Sequence, residues 1–326
     1  MPSIAVIGAG RIGQIHARNV AAHPGARFAG VADPDAAAAG RLAEALGGRV
    51  LTLDEALAAD AVVICSPTPT HADLIEQAAK LGRAVFCEKP VDLSAERVRA
   101  CLAVVAATGI RLMVGFNRRF DPHFATLKRR LDGGEIGALE LLTITSRDPA
   151  PPPAQYVASS GGLFRDMMIH DLDMARFLLG EEPVELFAAA SCQVDPGIAA
   201  AGDVDTAVVT LRTASGRLCQ ISNSRRAVYG YDQRIEAHGA AGMLRAGNVT
   251  ASTVEHASAA GFTTDPALPF FLERYAAAYR AELDAFVTAI SGGESAYPNG
   301  DDGLAALVLA DAATLSARTH EPVRLA

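Results

Sequence analysis

The first 115 residues alternate short β-rich runs with helical stretches, and this rhythm constrains the fold more than any other feature. Strands are predicted at residues 3–7, 27–32, 61–65, 84–87 and 111–115, and helices at 12–22, 34–46, 71–81 and 94–108. The run AVVIC at 61–65 is apolar throughout, as expected for a strand of a parallel sheet that is buried on both faces. Strands that alternate with helices form right-handed βαβ crossovers. The sequence therefore predicts an α/β fold with a doubly wound parallel sheet.

The pattern changes after residue 117. Apolar and polar residues alternate in the runs 139–146, 184–191, 206–212, 217–224 and 231–238. Such alternation is typical of a largely antiparallel sheet with one covered face. Predicted helices at about 122–132, 163–179, 273–290 and 301–318 would supply that cover. We therefore expect two domains, residues 1–118 and 119–326, with the boundary inferred from rhythm because no flexible linker marks it.

Composition excludes several classes of function. The chain has 326 residues and a net charge of -8, which argues against general affinity for nucleic acid or anionic membranes. No apolar run approaches the roughly 18–20 residues that span a bilayer, and the N-terminus lacks the basic region of a signal peptide. The 5 cysteines are odd in number and scattered, so a disulfide framework is not expected. A cytoplasmic location is the resulting expectation.

A glycine motif follows the first predicted strand and opens the first helix. Gly8, Gly10 and Gly13 fit GxGxxG, with Arg11 and Ile12 between the last two. In dinucleotide-binding turns the first glycine permits the tight turn, the second lets the pyrophosphate approach, and the third allows helix and strand to pack closely. The N-terminus of the helix offers N–H donors to the phosphates. We therefore expect these five residues to bind a dinucleotide.

Acidic and polar residues after the next strands extend this cofactor site. Asp33 lies about 20 residues after Gly13, where an acid binds the adenosine ribose and favours NAD over NADP. Capping of a helix that begins at residue 34 is the alternative role. Ser66, Thr68 and His71 follow the AVVIC strand at its carboxyl end, where open sheets bind ligands, and are candidates for the nicotinamide half. A proline-rich turn with a helix cap explains them almost as well.

A carboxylate and an imidazole stand four residues apart in a predicted helix. Asp166 and His170 would share one helix face, and an aspartate that positions a histidine suits proton transfer near neutral pH. A buried histidine bonded within the helix bundle is the alternative. Lys89 follows a strand end and could hold a substrate hydroxyl, although alone it resembles a solvated surface lysine. His170, Asp171 and Asp173 do not make a metal shell, so no metal is expected.

Four segments in order resemble one known family. GAGRIGQIH, CEKP, GFNRRFD and DMMIHDLD are similar to motifs of the glucose–fructose oxidoreductase/inositol dehydrogenase (Gfo/Idh/MocA) family, and the similarity covers essentially the whole chain. SRRAVYGYDQRIEAHG at 224–239 and PFFLERYAAAY at 269–279 look like its inositol 2-dehydrogenases. The resemblance implies an NAD-binding Rossmann domain followed by a substrate-binding α/β domain. The open sheet of that second domain is expected to mediate oligomerisation, often to a tetramer.

The resemblance also implies site residues. Lys89 matches the lysine of the EKP motif, with Glu88 beside it expected at the cofactor, and Asp166 and His170 match the family's aspartate and histidine. The positions expected to hold the polyol, besides Lys89, are Asp173, Tyr231 with Tyr229 near it, and Tyr275. The segment 149–160 is expected to influence which stereoisomer fits.

The function implied is NAD-dependent oxidation of myo-inositol to 2-keto-myo-inositol. His170 would accept the hydroxyl proton, Asp166 would fix its tautomer, and Lys89 would steady the oxygen as charge develops. The scheme needs a small-molecule polyol, NAD and no metal. Two alternatives stay open: a dehydrogenase for another inositol isomer or sugar, and a non-catalytic dinucleotide-binding regulator.

Overall fold

A computed structural model describes residues 1–325, except for the side chains of residues 154, 155 and 158. It divides into two compact units. The first comprises Met1–Phe120 and Ala278–Leu307, and the second comprises Asp121–Ala277 and the residues from Val308 onward. No helix in the described part of the chain is long and apolar enough to cross a membrane.

The elements follow one another in chain order. The helices are α1 (Arg11–Ala22), α2 (Ala36–Ala45), α3 (Leu53–Leu57), α4 (His71–Lys80), α5 (Ala95–Thr108), α6 (Pro122–Asp132), α7 (Ala154–Ser160), α8 (Ile169–Leu179), α9 (Pro196–Ala200), α10 (Phe271–Arg274), α11 (Ala276–Ile290) and α12 (Gly300–Thr319). The strands are β1 (Ser3–Ile7), β2 (Arg27–Ala32), β3 (Ala61–Ile64), β4 (Ala84–Cys87), β5 (Leu112–Val114), β6 (Leu139–Arg147), β7 (Pro183–Ser191), β8 (Thr206–Thr213), β9 (Leu218–Ser224), β10 (Asp232–Gly239), β11 (Gly242–Ala246), β12 (Glu255–Ser258), β13 (Gly261–Thr264) and β14 (Val323–Arg324).

The first unit is built on a five-stranded sheet in the order β2-β1-β3-β4-β5. Every neighbouring pair in it is parallel, and every residue of β3 is buried. The predicted doubly wound parallel sheet is therefore confirmed. The chain leaves β1 for β2 on one side and then crosses to β3 on the other. Ligands bind outside the carboxyl ends of strands at such a reversal.

Helix α11 completes the core of the first unit. Its Leu283, Phe286 and Val287 are buried in one cluster with Val6 of β1 and Phe86 of β4. A parallel sheet needs apolar cover on both faces, and this segment supplies part of it. The predicted division assigned residues 278–307 to the second domain, whereas these residues belong to the first unit. The alternation of strands and helices along the sequence could not reveal that residues 278–307 pack in the first unit, because a helix that covers a sheet need not follow it directly in the chain.

The second unit contains a seven-stranded sheet in the order β11-β10-β6-β9-β8-β7-β14. Only β6 and β9 run parallel, while the other neighbouring pairs are antiparallel. Burial alternates along β8, from Thr206 to Thr213, in the manner of a sheet with one covered face. The largely antiparallel sheet predicted for this part of the chain is confirmed.

Candidate active site

The glycine turn between β1 and α1 has the shape that a dinucleotide needs. Gly8 has φ 108°, and a Cβ there would lie 2.7 Å from backbone atoms just after β3. A Cβ on Gly13 would lie 1.9 Å from the carbonyl oxygen of Gly8, so helix and strand pack too closely for any side chain. A Cβ on Gly10 would meet nothing within 4 Å. The space beside Gly10, where Arg11 and Ile12 begin α1, therefore fits a pyrophosphate on the helix N-terminus.

The carboxylate of Asp33 is bound to this turn. Its Oδ2 accepts a hydrogen bond of 2.6 Å from the backbone N–H of Ala9, and its Oδ1 accepts one of 2.8 Å from Asp35. The cap of α2 is Asp35, whose side chain accepts from the N–H groups of Ala37 and Ala38. The alternative that Asp33 caps this helix is therefore wrong. Asp33 stands beside the glycine turn, as ribose recognition requires.

The loop after β3 is joined to the end of β4 by one histidine. His71 is buried, with Nδ1 2.8 Å from the carbonyl oxygen of Pro90 and Nε2 2.7 Å from that of Ser66. Both partners are backbone carbonyl oxygens, so the ring links the loop after β3 to the segment after β4. Ser66 also shares a 2.6 Å hydrogen bond with Thr70, while Thr68 begins the short turn between them. Contact of Ser66, Thr68 and His71 with the nicotinamide stays a prediction.

Lys89 is the second residue after β4, at the carboxyl edge of the sheet, and is half-buried. The carboxylate of its neighbour Glu88 lies 2.7 Å from Nε2 of His16 on α1. Contact of Glu88 with the cofactor stays a prediction. Its Oε1 already has a hydrogen-bond partner in the first unit, namely His16.

The segment that carries Asp166 and His170 is not uniformly α-helical. Phe164–Met168 forms a π-helical turn, and α8 begins immediately after it. The predicted single helix over 163–179 is therefore interrupted, and the turn that holds Asp166 is wider by one residue than an α-helical turn. Short π-helical segments often occur at functional sites because they redirect side chains. His170 lies in the first turn of α8 and is half-buried.

Two residues that sequence reasoning missed hold the Asp166 carboxylate. The hydroxyl of Tyr156 donates to its Oδ1 over 2.7 Å, and Nη2 of Arg225 donates to its Oδ2 over 3.2 Å. The side chain of Arg225 is only 3% exposed, and its Nη1 lies 3.5 Å from Asp148. Tyr156 belongs to the segment expected to influence which stereoisomer fits, and Arg225 belongs to the SRR motif. Both segments were singled out in the sequence, but nothing in the sequence indicated that they contact Asp166.

Helix α8 is anchored to the sheet by Asp171. Its Oδ1 accepts from Ser146 on β6 over 2.6 Å, and its Oδ2 accepts from Asn223 on β9 over 2.9 Å. All three side chains are buried. Adjacent residues on a helix point in different directions, so this anchor fixes where His170 is directed.

The two tyrosines expected at the polyol differ in their surroundings. The hydroxyl of Tyr275 donates to Oε1 of Gln233 over 3.1 Å, within the buried network that includes Ser146. The ring of Tyr231 packs edge-on against Tyr275, with centroids 6.0 Å apart, and against Phe270 at 6.2 Å. Both tyrosines are almost completely buried. Contact of either tyrosine with substrate stays a prediction. The ring of Tyr275 also supports the ring of Tyr231 from one side.

Asp173 and Tyr229 complete the predicted set. Asp173 is buried, and its Oδ1 lies 3.9 Å from Nη1 of Arg176 one helical turn later. The hydroxyl of Tyr229 donates to Asp232 over 2.7 Å and accepts from Arg147 over 3.0 Å. Burial of Tyr229 raises the pKa of its phenol, so this hydroxyl keeps its proton. The second unit therefore carries carboxylates, hydroxyls and an imidazole, which are groups that bind and deprotonate alcohols.

Comparison with known proteins gives matches in both units. Residues 3–116 match a profile described as an oxidoreductase family with an NAD-binding Rossmann fold, and residues 124–245 match the GFO/IDH/MocA C-terminal domain. An inositol 2-dehydrogenase of Rhizobium meliloti (strain 1021) is 54% identical over 324 residues, covering 98% of each sequence. A myo-inositol 2-dehydrogenase of Thermotoga maritima is 45% identical over 327 residues, covering 99% of this chain and 98% of the relative.

A solved structure extends the comparison to bound ligands. The scyllo-inositol dehydrogenase of Lactobacillus casei, crystallised with cofactor NAD(H) and scyllo-inositol, matches with a TM-score of 0.92 at 30% identity, covering 99% of both chains. The glycine turn, the sheet order and these matches point the same way. The first unit is an NAD-binding Rossmann domain, and the chain belongs to the Gfo/Idh/MocA family of oxidoreductases.

Proposed function

We propose that the chain is an inositol 2-dehydrogenase that oxidises myo-inositol to 2-keto-myo-inositol with NAD. The observation that carries the proposal is the pair Asp166 and His170 on the π-helical turn and α8, in a chain whose Rossmann unit binds NAD. The relatives from Rhizobium meliloti and Thermotoga maritima support inositol as the substrate class.

The proposed chemistry assigns one task to each residue. The glycine turn and Asp33 would hold NAD, which would supply the acceptor for the hydride on the carbon that carries the reacting hydroxyl. His170 accepts the proton of that hydroxyl, and Asp166 fixes the tautomer of the imidazole and stabilises its charged form. Lys89 stabilises negative charge on the same oxygen as it develops. Asp173 and Tyr231 orient the remaining hydroxyls, so that the correct carbon is presented.

Formation of NADH by the purified protein tests the proposal. The substrates are myo-inositol, scyllo-inositol, chiro-inositol and glucose, each with NAD and, separately, with NADP. Preference for myo-inositol with NAD is the expected result. Activity on another polyol alone would keep the mechanism and replace the substrate. No activity with any of them, while NAD binds, would favour the regulator over the enzyme.

A scyllo-inositol dehydrogenase is the second candidate function. The Lactobacillus casei relative binds scyllo-inositol with NAD(H), and a Bacillus subtilis relative that is 38% identical bears the name scyllo-inositol 2-dehydrogenase (NAD(+)). These two isomers differ only in the orientation of one hydroxyl. The ratio of kcat/KM for myo-inositol to kcat/KM for scyllo-inositol therefore decides between the two candidates.

We propose that the open face of the seven-stranded sheet joins copies of the chain, in the tetramer that the family resemblance implies. Strand register puts five large apolar residues on this face, each about two-fifths exposed or more. They are Leu141, Phe187, Val208, Leu218 and Met243. Monomeric proteins rarely expose contiguous apolar patches of such extent, so this face is suited to a partner copy.

We also propose a cytoplasmic location. All five cysteines are free thiols, and Cys87, Cys101 and Cys219 are buried. Free thiols persist in a reducing compartment. Labelling of the intact cell with a membrane-impermeant thiol reagent, compared with labelling after lysis, would test this.

A further inference from the structure

Three titratable side chains meet inside the first unit. They are His16 on α1, Glu88 at the end of β4 and Glu282 on α11. Nε2 of His16 lies 2.7 Å from Oε1 of Glu88 and 3.9 Å from Oε1 of Glu282. The side chains of His16 and Glu282 are 0% exposed. None of the roles assigned above explains why α11 brings a carboxyl group into this apolar core.

The charge of this cluster must be small because it is buried. Neither oxygen of Glu282 has a hydrogen-bond partner among the residues that the structure describes. An ionised carboxylate without partners in the interior is very costly, and such a group takes up a proton instead. Burial raises the pKa of the Glu282 carboxyl well above its ordinary value, and the nearby charge of Glu88 raises it further. Burial in this cluster therefore favours the protonated form of Glu282.

The groups that face Glu282 from neighbouring elements agree with this charge state. Besides His16 and Glu88, the thiol of Cys65 lies nearby at the end of β3, and burial raises its pKa well above the usual range, so it stays neutral. On α11 itself, the ring of Tyr279 packs edge-on against His16 with centroids 5.6 Å apart. The hydrogen bond within the cluster is the one between His16 and Glu88.

A divalent cation is the other way to neutralise the same three groups, since their ligand atoms all lie within 4.8 Å of one another. The distances favour the proton. Two ligands of a tetrahedral zinc ion, each about 2.1 Å from the metal, stand roughly 3.4 Å apart. The 2.7 Å separation of His16 and Glu88 is instead that of a hydrogen bond.

The cluster fixes the end of the strand from which Lys89 projects. The backbone N–H of Glu88 donates to Ile64 over 3.0 Å, and a Cβ on Gly115 would lie 3.0 Å from Oε2 of Glu88. The Glu88 carboxylate is therefore held by His16 on one oxygen and enclosed against Gly115 at the other. Any movement of Glu88 would turn the peptide that leads to Lys89.

We propose that Glu282 is a positioning residue, which as a neutral acid packs against the hydrogen-bonded pair of His16 and Glu88 in the buried cluster and thereby orients Lys89. This rests on the proposed role of Lys89 in the dehydrogenase reaction. Glu282 acts through its neighbours and needs no contact with substrate or cofactor.

The first test is independent of activity. A carboxyl group with a raised pKa binds its proton in the folded state and releases it on unfolding above the ordinary value of 4.5. Its stabilisation is therefore complete at low pH and declines as pH rises from about 4.5 toward the pKa in the folded protein. Glu282→Gln keeps the neutral shape and cannot ionise. Relative to this variant, the Tm of the wild type should fall progressively between pH 5 and pH 8, and a constant difference would overturn the proposal.

The second test concerns position. Glu282→Ala should lower kcat about tenfold or more, since small displacements of a catalytic group are costly, while the KM for NAD changes little. Glu282→Gln should restore most of that loss, and equal kcat for Glu282→Ala and the wild type would overturn the positioning role. Metal analysis of the purified full chain is the remaining check. A stoichiometric metal in the wild type that is absent from Glu282→Gln would show that a cation, rather than a proton on Glu282, neutralises the cluster. Because the Tm comparison needs no substrate, failure of the inositol assay leaves it interpretable.

Discussion

Tyr156 and Asp166 are joined by a 2.7 Å hydrogen bond from the phenol to the carboxylate. Arg225 holds the other carboxylate oxygen, so the direction of Asp166 is determined from two sides. Burial and the charge of Asp166 raise the pKa of Tyr156, so its hydroxyl remains a donor throughout the physiological range. The orientation of a proposed catalytic carboxylate thus depends on a residue ten positions earlier in the chain.

Tyr156→Phe removes this donor and leaves the ring. Hydrogen bonds to charged groups contribute about 1.5–3 kcal/mol, and partial exposure of Tyr156 reduces this. We expect kcat/KM for the inositol substrate to fall about threefold to tenfold, with unchanged KM for NAD. Ser159→Ala is the matched control on α7, because it also removes one hydroxyl group, which donates to the backbone carbonyl of Tyr156 over 3.2 Å. Equal losses in the two variants would mean that α7, rather than the phenol, was disturbed.

His170→Ala removes the proposed base. Turnover should fall by about 10²- to 10⁴-fold, the range that general bases supply. NAD binding, measured by fluorescence titration, should be almost unaffected because the glycine turn and Asp33 belong to the first unit. His238→Ala is the control, since the His238 side chain on β10 is 58% exposed. Wild-type turnover in His170→Ala would remove this residue from the mechanism.

Asp33→Ala and Asp35→Ala separate cofactor recognition from helix capping. Asp33→Ala should raise the KM for NAD and weaken discrimination against NADP, since the acid that repels a 2′-phosphate is lost. Asp35→Ala removes the cap of α2 and should cost about 1 kcal/mol of stability without changing cofactor preference. Steady-state kinetics with both cofactors and denaturant unfolding measure the two effects. If cofactor preference changed in Asp35→Ala and not in Asp33→Ala, the residue that recognises the cofactor would be Asp35.

Val208→Glu tests the proposed contact between copies. A charge on the open face of the sheet should dissociate the assembly into smaller species, because burying it against another copy is unfavourable. The molar mass from light scattering after size-exclusion chromatography measures this. Leu81→Glu introduces the same charge at an exposed position of the first unit and should leave the mass unchanged. A monomeric wild type would contradict the proposed contact between copies of the chain.

Much of the fold could be predicted because its signals are local. Strand β3 is apolar at every position and has no other stable location than the middle of a sheet. The strands β12 and β13 were missed because all their residues are exposed, so burial imposes no pattern on their sequence. The π-helical turn was also missed, since inserting one residue in a helix leaves the composition unchanged.

The site could be predicted where chemistry and spacing coincide in one segment. The glycine turn and Asp33 are such a case, and the hydrogen bond between Ala9 and Asp33 follows from strand order. The partners of Asp166 could not be predicted. Arg225, for example, directly follows β9, and nothing in its local sequence indicates that it contacts Asp166. Glu282 is a further example, since a glutamate within a predicted helix is normally assigned to a solvated surface.

The return of residues 278–307 to the first unit affects the order of events during synthesis. The nucleotide-binding sheet emerges from the ribosome first, yet part of its apolar face stays uncovered until α11 has been made. Contacts between such distant segments form slowly, and exposed apolar surface favours aggregation in the meantime. A chain that ended before α11 would therefore not yield a working cofactor-binding half. Maturation of this half depends on synthesis of residues 278–307.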